Sequence, residues 1–185
     1  MHPGAGQSNG TLANGLKHHF NKLSNSGGFL RPGIVHRLDK ETSGVVLIAK
    51  DNKMHSILSS QFEKREIKKE YFGITWGKWI EKRGGITDKI KRKRSDPTSY
   101  KIDNNGREAI TLYKVIESGL YTSEVFFYPK TGRTHQIRVH AAGRNYPIYG
   151  DKKYGGGENK IKGFIPEISK KLFQSFKTFK RHALH

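Results

Sequence analysis

Asp39 sits in the polar run HRLDKETSG, residues 36 to 44, beside Lys40 and two positions after Arg37. A carboxylate held near fixed cations stays ionised, and in that state it can serve as a nucleophile or a general base. Aspartates are equally common in turns that accept local backbone hydrogen bonds, so the structural reading stands beside the chemical one. A second group of reactive side chains falls in GRTHQIRVHAAG, residues 132 to 143, which carries Arg133, His135, Arg138 and His140. Five residues apart on a regular helix, His135 and His140 point about 140° away from each other, so one metal ion could not take both. The chain has no Cys, which excludes thiol redox chemistry, a disulfide framework and a Cys-based zinc site.

Side chains of this kind need elements to position them. Ile34 and Val35 precede the polar run and the β-branched Val45 to Ile48 follow it, which predicts a connection held between buried strands. Leu12, Leu16 and Phe20 recur at helical spacing, as do Met54, Ile57, Leu58 and Phe62. Glu70 to Trp76, Ala109 to Ile116 and Tyr121 to Tyr128 read as strands, whereas Trp79 to Tyr100, dominated by Lys, Arg and Gly, reads as a solvated loop or hairpin. Thr134 is placed as an N-cap, with Arg138 in the second helical turn and Gly143 just past the end. YPIYGDKKYGGG is loop-rich, and no repeat or linker divides the chain, so one domain over residues 1 to 185 is expected.

Lys and Arg total 35 against 16 acidic residues, a net charge of +19 at pH 7. Such an imbalance suits a polyphosphate partner, RNA or DNA, although a basic solvated surface would look the same. The run Lys89, Lys91, Arg92, Lys93, Arg94 and the tail residues Lys170, Lys171, Lys177, Lys180 and Arg181 are candidate phosphate contacts that read no sequence. The opening MHPGAGQSNG lacks the apolar centre of a signal peptide, and no stretch approaches the ~20 apolar residues of a membrane span. A cytoplasmic protein without a membrane partner is expected.

The string GIVHRLDKETSGVVLIAKD resembles the signature around the catalytic aspartate of the RluA family of pseudouridine synthases. KKEYFGITWG is similar to the family segment bearing an active-site Tyr, GRTHQIRVHAAGRNYPIYGDKKYGG to its second long signature, and the closing RHALH to its third. The opening HPGAG and TLANGL resemble the stretch ahead of the aspartate motif in members that modify large-subunit ribosomal RNA. The resemblance implies an α+β fold, a mixed, mainly antiparallel bent sheet with flanking helices and a basic cleft for RNA. It implies a reaction in which the C1′ to N1 bond of a uridine breaks, the uracil turns, and C5 is joined to the ribose, with no cofactor and no metal.

By this resemblance Asp39 is the nucleophile on C1′ or the base that removes the C2′ proton. Arg138 pairs with it, and Tyr71 stacks on the target base near the C5 proton. Arg37 fills the gap left when the uridine is extruded, and His36 and Arg133 join Lys91, Arg92, Lys93 and Arg94 as RNA contacts. A phosphate contact for Arg138 and a core position for Tyr71 are the alternatives. Family members usually carry further strands, often an S4-type domain, ahead of the HPG segment, and continue beyond RHALH; this chain is expected to lack both. A monomer is expected. The competing function is a non-catalytic RNA-binding protein that keeps the synthase fold. A metal-dependent nuclease built from the nine His is a third reading, and no motif supplies its ligands.

Overall fold

The computed structural model describes residues 9–162 and 164–185, so the opening HPGAG segment lies outside the described residues. The chain divides into two compact units, residues 1–68 and 69–185, each described by itself.

In the first unit, helix α1 (Leu12–His19) starts at a capping box. The Thr11 hydroxyl accepts from the Asn14 N–H, and the Asn14 side chain accepts from the Thr11 N–H at 3.0 Å. Of the apolar series expected to face inward only Leu16 is buried, with Ala13; Leu12 and Phe20 stay exposed. Helix α2 (Asn52–Glu63) is capped by the Asp51 carboxylate, which accepts from the Met54 N–H at 2.8 Å. Its one buried residue is His55, and Met54 and Ile57 of the expected apolar face are exposed.

The buried strand expected at Val45 to Ile48 does not form. Ile48 makes one isolated antiparallel bridge to Ile34, and Val45 is 77% exposed. Strand propensity measures how well side chains pack against neighbouring strands, and a single bridge provides no such surface.

The second unit is built on a five-stranded sheet of β1 (Tyr71–Trp76), β2 (Arg83–Arg92), β3 (Tyr100–Ile102), β4 (Arg107–Ser118) and β5 (Thr122–Pro129). The strand order is β1-β5-β4-β2-β3, and every pairing between these strands is antiparallel, in keeping with the expected α+β fold on a mainly antiparallel sheet. A bulge between Val115 and Glu117 breaks the β4–β5 register.

Over Trp79 to Tyr100, expected as a solvated loop or hairpin, the hairpin forms from β2 and β3, and β2 is in addition an interior strand that buries one face. Ile86 and Ile90 lie four residues apart on the inward face of β2, and between them Thr87 and Lys89 are exposed while Asp88 is half-buried. The strand hydrogen-bonds on both edges, to β4 and β3, which outweighs its low apolar content.

Helix α3 (Gln136–Gly143) packs on this sheet through Ile137, Val139 and Ala141, against Ile86, Val115, Val125, Phe127, Ile90 and Ala109. Two details differ from expectation. The N-cap is His135, in the left-handed region at φ 56°, and Gly143 is the last helical residue, so Arg138 falls in the first turn. Gln136 explains the shift: its side-chain oxygen accepts from the Arg133 N–H at 2.9 Å and the Thr131 hydroxyl at 2.7 Å, closing the preceding turn.

Beyond α3, helix α4 (Pro166–Thr178) buries Phe176 against Trp76, Tyr149 and Ile161. The final residues pair with β1: the Phe72 N–H donates to the His185 carbonyl at 2.8 Å and the Ile74 N–H to the Ala183 carbonyl at 3.0 Å.

His140 is fully buried on α3, its Nδ1 2.9 Å from the Thr111 hydroxyl. Burial first, and then Arg144, lowers its pKa to about 4, against an opposing pull from Asp88. The folded state therefore holds His140 neutral where the unfolded chain, titrating near 6.5, takes a proton. Its contribution is intact above pH 6.5 and is lost as pH falls toward 4, up to about 3 kcal/mol in all. Urea unfolding between about pH 6.5 and 4.5 is expected to show this loss, and His140→Gln to flatten the slope by up to about 1.4 kcal/mol per pH unit.

Candidate active site

In the first unit the polar run is a loop closed at a narrow neck. The Gly33 N–H donates to the Ser24 carbonyl and the Ala49 N–H to the Gly33 carbonyl, both at 2.8 Å. Gly33 adopts φ 66°, and a Cβ there would lie 2.6 Å from the Ala49 carbonyl oxygen, so only glycine closes this neck. Asn52 braces it from α2, accepting at Oδ1 from the Ser24 hydroxyl (2.7 Å) and the Asn25 N–H (3.1 Å).

The Asp39 carbonyl accepts from the Thr42 N–H at 3.2 Å, which makes Asp39 the first residue of a turn. Asp39 is half-buried, and its neighbours Arg37 and Lys40 are exposed. His36 is engaged inside the loop: its Nε2 accepts from the Leu47 N–H at 2.8 Å, and its ring stacks on Phe62 at 4.6 Å. That arrangement ties the two arms of the loop to each other and to α2.

In the second unit Arg138 is the centre of a buried polar cluster. Its Nε donates to Asp151 Oδ2 at 2.7 Å and its Nη2 to Oδ1 at 2.9 Å, with the two side chains only 6% and 1% exposed. This is the parallel, two-bond fork that a guanidinium makes with a carboxylate. Asp151 is itself fixed, accepting from the Lys153 and Tyr154 N–H groups at 3.2 Å as the cap of a short 3₁₀ turn. The Arg138 guanidinium also lies 4.9 Å from the Tyr154 ring centroid. The Tyr154 hydroxyl is 2.6 Å from His135 Nδ1 and accepts from the Tyr100 N–H at 3.0 Å.

The loop carrying Asp151 is tightly packed. A Cβ at Gly156 would lie 1.8 Å from the Ile148 carbonyl oxygen, and the Gly156 carbonyl accepts from the Trp76 indole at 2.8 Å. Reading the sequence missed Asp151, Tyr154 and the role of His135. Asp151 and Tyr154 were visible in GDKKYGG, but nothing in a loop-rich segment marks its carboxylate as one that will be buried against an arginine 13 positions earlier.

Tyr71 opens β1 in register with Phe127, half-buried against the main core cluster. Arg133 sits in the turn before α3, where its Nε donates to the Glu108 carbonyl at 2.9 Å. Tyr71, Arg133 and Arg138 therefore all belong to the second unit, while His36, Arg37 and Asp39 belong to the first.

The basic run lies on the β2–β3 hairpin. Lys91 is directly opposite Lys101 in the strand register, an arrangement that costs stability unless an anion lies nearby, and Asp103 supplies one at 2.8 Å from Lys101. Arg92 reaches the Tyr100 hydroxyl through Nη2 at 3.1 Å. At the tip, hydrogen bonds from Ser99 and Thr98 hold the Asp96 carboxyl well below the usual carboxylate range. Lys153 donates to the Thr98 hydroxyl at 2.6 Å, which ties the basic hairpin to the loop that holds Arg138. Among the described residues no group of three or more His, Asp or Glu is arranged to hold a metal ion, and no helix is long and apolar enough to cross a membrane.

Over 185 residues the chain is 40% identical to "Ribosomal large subunit pseudouridine synthase D" of Buchnera aphidicola subsp. Baizongia pistaciae, covering 100% of this chain and 56% of that protein. It is 43% identical over 157 residues to an "Uncharacterized RNA pseudouridine synthase" of Aquifex aeolicus, covering 84% of this chain and 50% of that one. Among solved structures it is similar to "Human RNA Pseudouridylate Synthase Domain Containing 1", with a TM-score of 0.71 and 27% identity over 95% of this chain and 66% of that chain. The chain thus spans about half the length of the curated relatives it matches. The model of the family described as RNA pseudouridylate synthase matches residues 6–143, which take in the Asp39 loop, β1 and α3 with its Arg138, and the chain belongs to that family.

Proposed function

We propose that this chain isomerises uridine to pseudouridine in RNA, and that its substrate is large-subunit ribosomal RNA. The observation that carries the reading is 40% identity along the whole chain to a protein named as a large-subunit pseudouridine synthase, with the Asp39 motif inside the matched region.

In this reading Asp39 acts on the ribose, as nucleophile at C1′ or as base at C2′. Arg138 serves the reaction as its fixed cation. The guanidinium is held in one orientation by Asp151 and Tyr154, and that support favours a positioning role over a mobile phosphate contact. Tyr71 stacks on the uracil and stands near C5, Arg37 takes the place of the extruded base, and His36 and Arg133 lie along the RNA path. The protein works as a monomer in the cytoplasm, where its RNA is, and needs neither cofactor nor metal.

The C5 hydrogen must leave for C5 to bond the ribose, so RNA carrying tritium at uridine C5 is the direct probe. Incubation with the chain is expected to release tritium to water in step with pseudouridine formed; no release above a protein-free control would overturn the reading. Release is expected to persist in excess EDTA, because no step calls for a Lewis acid. Activity that disappears with EDTA and returns with a divalent cation, with RNA folding checked separately, would contradict that.

Binding gives a second handle. Neutralising Lys91, Arg92, Lys93 and Arg94 together is expected to weaken affinity for many RNAs alike. The log–log dependence of affinity on salt should flatten by roughly 0.7 to 0.9 for each phosphate that is no longer neutralised by a side chain. An unchanged slope would mean that the hairpin cations face only solvent.

A further inference from the structure

The second unit carries a cleft of about 270 Å³, lined by residues of β2, β4 and the segments that follow β1 and α3. It lies beside the C-terminal end of α3, whereas Arg138 is in that helix's first turn. None of the residues assigned to the reaction lines it.

The walls of the cleft are aromatic. Trp79 stacks on Tyr146 at 4.5 Å with an interplanar angle of 19°, and meets Tyr113 at 4.4 Å. The backbone of Gly85 on β2 forms part of the wall, and Ile80 at the rim is 87% exposed. Two charged groups of opposite sign complete the lining, Arg144 and Glu81. The Arg144 guanidinium is set in place by Asp88, 3.0 Å from its Nη2, yet the side chain is still 41% exposed. Both charges act on the Tyr113 hydroxyl: burial raises its pKa first, Glu81 and Tyr146 raise it further, and Arg144 opposes them.

The volume is just below the range of drug-sized pockets and suits one flat heterocycle. In a chain of net charge +19 a carboxylate at the mouth of a cleft repels phosphate, so Glu81 argues for recognition of a base rather than of the backbone. Among the RNA bases guanine presents two adjacent donors, N1–H and N2–H, for a carboxylate, and beside them the acceptor O6 for a guanidinium. Uracil has one donor between two acceptors, and adenine and cytosine lack the donor pair. Unstacked bases read on their edges between aromatic planes are the usual mode of single-stranded RNA recognition.

We infer that the Trp79–Tyr113–Tyr146 cleft is a subsite for one unpaired guanine of the RNA, read by Glu81 and Arg144 and separate from the site that takes the target uridine. The subsite rests on the proposed RNA substrate for its biological setting, but its test needs no reaction. Trp76 and Trp79 are the two tryptophans of the chain, and their indole N–H groups donate to different partners, Gly156 and Thr75, so their signals in a ¹H–¹⁵N spectrum are separate reporters.

The experiment titrates the chain with GMP, AMP, CMP and UMP at constant ionic strength. GMP is expected to shift the Trp79 indole signal saturably while Trp76 stays still, with an affinity roughly tenfold above the other three. Glu81→Gln, at an exposed position where folding is readily confirmed by its melt, is expected to remove that preference. Equal responses to all four nucleotides, no shift of Trp79, or a preference that survives Glu81→Gln would overturn the inference. Tritium release from labelled RNA is measured separately, so the subsite and the synthase reading can fail independently.

Discussion

Asp39→Asn is expected to abolish pseudouridine formation while leaving RNA affinity nearly unchanged. The substitution keeps the volume of the side chain and removes its charge, so neither route at the ribose has its nucleophile or base. Loss of such a group as a unit of the machinery typically costs on the order of 10⁴-fold or more in turnover. The turn starting at Asp39 closes through its backbone carbonyl and the Thr42 N–H, and the loop neck is held by Gly33, Ser24 and Ala49, so the loop itself should survive. Single-turnover assays with labelled RNA, together with a binding isotherm, separate the two effects. Turnover within about tenfold of the unsubstituted chain would move the chemistry to another residue.

Asp151→Asn is expected to have the largest effect on stability. It removes the charge from the two-bond fork that holds the Arg138 guanidinium, whose side chain is only 6% exposed. Breaking one partner of a buried pair costs up to about 3 to 5 kcal/mol. For a domain of this size the thermal midpoint should fall by roughly 10 °C. Replacing both residues with apolar ones of similar volume, Arg138→Met with Asp151→Leu, is expected to recover much of the stability and none of the activity. That pattern separates a functional arginine, held in place at a cost, from a structural ion pair. Recovery of activity with the double substitution would reduce Arg138 to a structural role.

The parts of the structure legible in the sequence were those governed by local signals. β1, β4 and β5 followed from β-branched or aromatic runs whose patterns agree with the surfaces they bury, and α2 formed where its periodicity placed it although Met54 and Ile57 stay exposed. Val45 to Ile48 shows where local preference fails: its β-branched run has the composition of a buried strand but only one bridging partner. β2 is the reverse case, since its ten residues are mostly polar and become a strand because neighbours hydrogen-bond to both edges. The start of α3 was misplaced by one residue because a glutamine folding back onto the turn, as Gln136 does, leaves no local capping signature.

The candidate site divides along the same line. Asp39, Tyr71 and Arg138 could be named from motif resemblance, since each lies in a contiguous string. The groups that hold Arg138 could not, because Asp151, Tyr154 and His135 meet only through the packing of the 3₁₀ loop against α3 and β3. Long-range polar networks leave no spacing rule in the sequence, and their members look like ordinary loop residues until the fold is known.

The most direct test of the proposed synthase activity is a map of pseudouridine in unmodified large-subunit ribosomal RNA after incubation with this chain, run in parallel with Asp39→Asn and with no protein. Pseudouridine is expected at one or a few defined uridines with the unsubstituted chain, and none above background in the other two reactions. RNA that is bound in all the protein samples yet carries no new pseudouridine would contradict it, and would identify the chain as an RNA-binding protein that keeps the synthase fold without the reaction.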